Sequence, residues 1–202
     1  MLIIGITGGS GSGKSTVADI LCSFGAETID ADVVYHDLLN NSEAMKSELK
    51  KRFPETITDE GKLSRKALAK IVFSDKEALS DLNQIAHKFV IQETERMLEE
   101  LYRKNVPYIC IDAIALFESK LSDICDATIG VIAPRALRLS RITARDGIDN
   151  MAASARINAQ EPDEFFRERC DYIIENAGDI SAVTENTKEI FDLITKGLER
   201  NE

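Results

Sequence analysis

Between an apolar run at residues 2–6 and a helical pattern that opens at Lys14, the chain reads TGGSGSGKST (7–16). Gly8, Gly13, Lys14 and Ser15 satisfy the spacing G-x-x-x-x-G-K-[ST]. Each residue type has a physical task. Glycine admits backbone conformations closed to other residues, so successive N–H groups can turn inward on phosphate oxygens. A helix beginning at Lys14 adds the positive end of its dipole. The Lys14 ammonium reaches the β- and γ-phosphates, and the Ser15 hydroxyl can ligate Mg²⁺. The chemistry implied is the binding of a nucleoside triphosphate, with no statement yet of what is done to it.

Carboxylates and arginines further along supply candidates for the second half of the reaction. The run IDAD (29–32) puts Asp30 and Asp32 at the carboxyl end of a strand, where open α/β sheets bind ligands. A carboxylate there orients an acceptor hydroxyl and takes its proton, or holds Mg²⁺ through water; capping of the helix expected from Val33 is the other use. YICID (108–112) ends in Asp112, a candidate Mg²⁺ partner through water. Seven arginines fall between residues 135 and 169, and Arg138, Arg141 and Arg145 recur at helical spacing on one face. In so acidic a chain this reads as a phosphate clamp, centred on Arg141 and Arg145, or else as a salt-bridged solvent face. No N-K-x-D guanine-reading motif follows a later strand, which argues against a switch GTPase. The chain is also short for a motor.

The elements that must position these residues are legible as patterns. LIIGI (2–6), ETIDA (27–31), YICID (108–112), ATIGVIA (127–133) and DYIIEN (171–176) are rich in Ile and Val without clean polar alternation. That suits strands of a mostly parallel sheet covered on both faces. Helical patterns lie between them: residues 14–24, residues 79–104, and 179–200 with Ile180, Val183, Ile190, Leu193, Ile194 and Leu198 as its apolar stripe. The fold class is therefore α/β, a three-layer α/β/α sandwich with right-handed crossovers. Residues 33–107 are too long for a plain crossover and read as a helical insertion broken near Pro54 and TDEGK (58–62). The domain reading is a core at about 1–32, 108–134 and 170–202, that insertion, and an Arg-rich lid at about 135–169.

Bulk numbers agree. With 202 residues, 44% apolar and 30% charged, this is ordinary globular composition. A net charge of −10 repels phosphate backbones, so nucleic acid is not an expected partner. Cys22, Cys110, Cys125 and Cys170 form no CxxC pair, and His36 and His87 are the two histidines. Reduced, mostly buried thiols are expected. No run is long enough for a membrane span, and the first is short for a signal peptide with no basic residues before it. A cytoplasmic monomer or weak homo-oligomer is expected.

Taken in order, GITGGSGSGKSTVA (5–18), IDAD, DEGKLSRKAL (59–68), IVF (71–73), the His87 region, ICID with LFE (116–118), RLSRITARDG (138–147), RINAQ (156–160) and CDYIIENAG (170–178) resemble the dephospho-coenzyme A kinase family over nearly the whole chain. The resemblance implies a P-loop kinase fold and transfer of the ATP γ-phosphate to the ribose 3′-hydroxyl of dephospho-CoA, the last step of coenzyme A biosynthesis; another small P-loop nucleotide or nucleoside kinase is the alternative. It further implies that Gly11, Ser12, Gly13, Lys14, Ser15 and Thr16 bind the ATP phosphates and that Asp32 is the general base. Asp30 and Asp112 would support metal and acceptor. Arg65, Phe73, His87 and Phe117 would line the acceptor pocket, Arg141 and Arg145 form the lid, and Asn176 lie by the adenine. The chain departs from the family at His87-Lys88, where His-Pro is usual, and at Ile114-Ala115-Leu116, where Pro-Leu-Leu is usual.

Overall fold

Strands that lack polar alternation should be covered on both faces; the three inner runs are, whereas the two edge runs expose Glu27, Thr28 and Glu175. The computed structural model describes residues 1–58 and 63–199 and gives β1 (Leu2–Thr7), β2 (Ala26–Asp30), β3 (Tyr108–Asp112), β4 (Ala127–Ile132) and β5 (Tyr172–Glu175). The helices in chain order are α1 (Lys14–Ser23), α2 (Ala31–Asn41), α3 (Glu43–Arg52), α4 (Arg65–Val72), α5 (Lys76–Arg103), α6 (Arg135–Asp146), α7 (Asn150–Asn158), α8 (Asp163–Arg169) and α9 (Ile180–Glu199). The strands form one sheet in the order β2-β3-β1-β4-β5. Every strand pairing within this sheet is parallel, so the sheet expected to be mostly parallel is wholly so; an isolated antiparallel bridge, Ile57 to Leu63, lies outside it. The three-layer α/β expectation holds.

The chain divides into two compact units, Met1–Asp30 with Leu101–Glu202, and Ala31–Glu100. The first contains the sheet. Its core joins Ile4, Ile6, Ile129, Val131 and Ile174 of the strands to Val17 and Leu21 of α1 and Val183, Phe191 and Ile194 of α9. The rings of Phe24 and Tyr108 lie 5.5 and 5.0 Å from that of Phe191. The apolar stripe of α9 differs from expectation at two positions. Ile180 and Leu193 are exposed, at 57% and 59%, because the buried seam runs through Val183, Thr187, Phe191 and Ile194. At about 100° per residue, Leu193 falls on the flank opposite Phe191.

The second unit is helical, and its core gathers Leu39, Met45, Leu49, Phe53, Leu68, Val72, Leu82 and Ala86. Serine hydroxyls start two of its helices: Ser42 accepts from Met45 N at 3.2 Å and Ser64 from Ala67 N at 3.3 Å. The Asp75 carboxylate accepts from Glu77 N at 2.8 Å and Ala78 N at 3.3 Å, so α5 begins at Lys76 rather than at the expected 79. The break near Pro54 is a single 3₁₀ turn, Pro54–Thr56. Of the expected TDEGK break only Thr58 is described; residues 59–62 of the DEGKLSRKAL motif, residue 200 of the last helix and the Leu198 side chain lie outside the described set. The helix expected from Val33 starts at Ala31, directly after β2. All four cysteines are free thiols, but Cys22 is exposed and Cys125 and Cys170 only half-buried, leaving Cys110 as the fully buried one. Among the described residues no helix is long and apolar enough to cross a membrane.

Candidate active site

The glycine-rich loop leaves β1 and enters α1. Thr7 donates its hydroxyl to Ile114 O at 3.0 Å, which fixes the end of the strand. Gly8, at φ +145, passes so close to β4 that a Cβ there would lie 2.1 Å from Val131 O. Gly13, at φ +102, is the left-handed residue from which α1 departs. The first turn of α1 contains no acidic residue and its N-cap makes no side-chain hydrogen bond. The leading amides of the helix are thus left without a competing carboxylate, the arrangement that suits an anion. Lys14 Nζ donates to Gly8 O at 3.1 Å, closing the loop on itself. Ser12 is buried at 1% exposure and its hydroxyl has no hydrogen-bond partner, an orphaned polar atom inside the loop. Ser15 is exposed and Thr16 half-buried.

Helix α6 lies against this loop, and its four arginines do different things; Arg135 donates to Ser154 Oγ at 2.7 Å. Arg141 donates from Nη1 to Gly11 O at 3.1 Å and Ser12 O at 3.2 Å, and from Nη2 to Asn176 Oδ1 at 2.9 Å. Arg141 thereby holds both carbonyls toward α6, while the Ser12 amide donates within the loop to Gly9 O at 3.1 Å. Asn176 is 4% exposed, receives Gly178 N at 3.3 Å, and has its amide nitrogen 2.1 Å from where a Gly13 Cβ would be. Gly11, Ser12, Arg141 and Asn176 therefore form one hydrogen-bonded cluster, with Gly13 packed against Asn176. Arg145 does not join it. Its guanidinium is mostly exposed and hydrogen-bonds Asp146, which also pairs with Arg156. The Arg145 bond, ahead of the other causes, holds the Asp146 carboxyl down to about 2. Arg138, named on the arginine face but not taken as part of the clamp, is the buried one at 5% exposure. It donates to Ser10 O at 3.0 Å and to Gln160 Oε1 at 3.2 Å, and pairs with Asp163 at 3.4 Å. Burial lowers its pKa, with Asp163 opposing. The sequence offers Gln160 only as the last letter of RINAQ; two glycines beyond the phosphate-loop spacing, Gly9 and Gly11, are the signal that something packs hard on the loop.

Asp30 and Asp112 sit at strand ends, whereas Asp32, expected there too, lies just beyond in α2. Asp30 and Asp112 are register partners across β2 and β3, so their side chains stand on the same face of the sheet, both half-buried. Ile6 of β1 pairs with Asp112 in turn, which sets the two acids one and two strands from the strand that feeds the loop. Asp32 belongs to the helical unit, exposed in the first turn of α2.

The residues expected to line the acceptor pocket fall in both units. Phe117, in the segment after β3, meets Phe165 edge-on at 5.9 Å, and the Arg169 guanidinium lies 5.9 Å from the first ring and 4.6 Å from the second. In the helical unit Arg65 opens α4 and donates to Asn40 Oδ1 at 2.6 Å. Phe73 follows α4 and is 86% exposed, the most exposed large hydrophobic among the described residues. His87 is half-buried on α5. Lys88, at the position of the family's proline, donates to Glu48 of α3 at 2.6 Å and lets α5 run unbroken.

Comparison with known proteins agrees with the loop. The sequence profile described as dephospho-CoA kinase matches residues 2–182. Dephospho-CoA kinase from Thermus thermophilus is 38% identical over 197 residues, 97% of this chain and 93% of that protein. Among solved structures, TT1252 from Thermus thermophilus aligns with a TM-score of 0.78 at 37% identity, covering 94% of this chain and 95% of its own. Dephospho-CoA kinase from Campylobacter jejuni aligns at 0.66 and 27% identity, covering 96% and 98%. The order of the motifs and the end-to-end matches lead to one conclusion: this chain belongs to the dephospho-CoA kinase family.

Proposed function

We propose that the protein transfers the γ-phosphate of ATP to the ribose 3′-hydroxyl of dephospho-CoA, giving CoA and ADP, the last step of coenzyme A biosynthesis. The observation that carries this is the uncapped, acid-free N-terminus of α1 behind a glycine loop, in a chain whose family match runs over residues 2–182. In this reading the amides of Gly11, Ser12, Gly13, Lys14, Ser15 and Thr16 hold the ATP phosphates, and Lys14 offsets charge on the β- and γ-groups. Arg141 keeps the loop carbonyls turned away from them and belongs to the catalytic set through that hold. Asp32 takes the proton as O3′ forms its bond to Pγ and the bond from Pγ to the ADP oxygen breaks. Asp30, Arg65, Phe73, His87 and Phe117 receive the acceptor; Arg145 and Asn176 serve the ATP side.

Mg²⁺ completes the donor. Ser15 in the first turn of α1 and Asp112 at the end of β3 offer the hydroxyl and carboxylate oxygens such a hard cation takes, and these two would hold it. When bound, the ion neutralises charge developing on the β- and γ-oxygens. Residues 33–107 are the acceptor-binding insertion and 135–169 the lid, around a core of 1–32, 108–134 and 170–202. A cytoplasmic monomer or weak homo-oligomer that binds no nucleic acid fits the net charge of −10.

The test is ADP release from ATP, coupled to an optical readout, across acceptors, with the product identified by mass. Dephospho-CoA is expected to turn over and gain one phosphoryl group. Turnover of a nucleoside monophosphate with none of dephospho-CoA overturns the proposal.

A further inference from the structure

Gly9 lacks the usual reason to be glycine. It is not among the residues of positive φ, so its backbone suits any amino acid. What excludes a side chain is Arg138: a Cβ on Gly9 would lie 2.1 Å from Nη2 and 2.7 Å from Cζ of that guanidinium. The far end of an arginine can ordinarily swing aside. This one is buried and held by Ser10 O at 3.0 Å, Gln160 Oε1 at 3.2 Å and Asp163 Oδ1 at 3.4 Å, so moving it breaks all three contacts. Gly11 differs: its φ of +77 already favours glycine, and its Cβ position meets the backbone of α6, 2.8 Å from Arg138 O, rather than the guanidinium.

Gln160, just beyond α7, closes the other side. Its Oε1 accepts from Ser10 N at 2.8 Å as well as from Arg138, and its Nε2 donates to Ser10 Oγ at 2.8 Å. Ser10 is thereby held at its amide, its carbonyl and its hydroxyl by two side chains from 128 and 150 residues away. No phosphate-loop motif residue is involved. We infer that Arg138 and Gln160 are positioning residues for the donor site: they clamp the loop at Ser10, and Gly9 is glycine to seat the Arg138 guanidinium. This rests on the reading of the loop as an ATP site. Since the clamp bears on the donor loop at Ser10, its loss should loosen the grip on ATP and leave the acceptor alone.

Gln160→Met keeps the length of the side chain and removes all three of its hydrogen bonds. The Kd for ATP, measured by calorimetry, and the KM for ATP are expected to rise about tenfold, as the loss of loop order held by such bonds implies. The KM for dephospho-CoA should stay within about twofold and the melting temperature within about 3 °C. An unchanged ATP Kd overturns the inference; so does a joint rise of both KM values with lower melting, which marks a packing contact only. A cycle then tests the glycine. Gly9→Ala should weaken ATP binding about tenfold in the natural chain and by less than about twofold more on Arg138→Ala. Equal effects in both backgrounds refute the seating of Arg138. Should Arg138→Ala not fold, Gln160→Met decides alone. Absence of turnover with dephospho-CoA would count against the proposed acceptor, while the ATP Kd still judges the clamp.

Discussion

Asp32 is the residue on which the proposed proton transfer turns. Its side chain is exposed, so replacing it opens no cavity, and a first-turn charge supports α2 by no more than about 1 kcal/mol. Asp32→Asn keeps the size and a hydrogen-bonding carbonyl but cannot take a proton. Steady-state kinetics should show kcat lower by about 100-fold or more with the ATP KM within about twofold. An unchanged kcat would mean that the proton leaves by another route, with Asp30 the next residue to test. Asp30 and Asp112 were legible because they end strands whose apolar runs are unmistakable, and in a parallel sheet chain direction alone puts strand ends on one edge; Asp32 was legible as the residue two beyond β2, in α2. The hold on Ser10 was not legible, because a glutamine and a serine 150 residues apart carry no spacing rule.

Helix α6 shows what a periodicity argument does and does not fix. Arg138 and Arg145 are seven residues apart, about 20° out of phase on a helix and so on nearly the same face. The same seven residues advance the chain by about 10 Å. The glycine loop meets α6 near Arg138 and Ile142, so Arg145 is carried past it to solvent and to Asp146. Angle was readable from sequence; the point along the axis where another element crosses was not. The cluster of Arg145, Asp146 and Arg156 should be visible in acid. The folded Asp146 carboxyl is held down to about 2, chiefly by its hydrogen bond from Arg145, below the ordinary carboxylate value of about 3.9. A depressed folded value stabilises above the ordinary pKa and loses that contribution as pH falls toward the folded one. Asp146→Asn should therefore melt below the natural chain at pH 6, with the gap closing as pH drops from about 4 toward 2. A gap that stays constant over that range would show that the pair contributes no stability.

At the scale of the whole molecule, the four thiols offer a built-in reading of how the sheet-bearing unit opens. Cys22 is exposed near the end of α1, its sulfur 3.1 Å from the Thr28 hydroxyl. Cys110 lies inside β3, between β2 and β1, and burial pushes its thiol well above the ordinary range, with the Asp112 charge adding to the shift. Burial likewise raises Cys125 and Cys170 to about 12. At pH 8 these three are protonated as well as hindered, while the thiolate is the form that alkylates. Iodoacetamide on the folded protein should modify Cys22 first, with Cys110 modified only when the sheet opens. Binding of ATP to the folded state alone shifts that opening equilibrium by the factor 1 + [L]/Kd. At ATP one hundred times its Kd, labelling of Cys110 should slow about 100-fold while the Cys22 rate is unchanged, both followed by peptide mass spectrometry. Equal slowing at both sites would mean local shielding rather than stabilisation. No slowing at Cys110 would mean that the glycine loop does not bind ATP in the folded chain, or that β3 opens without releasing the loop. The shared edge between β1 and β3 makes that second outcome costly, since Ile3, Ile4, Gly5 and Ile6 pair with Ile109, Cys110, Ile111 and Asp112 in unbroken register.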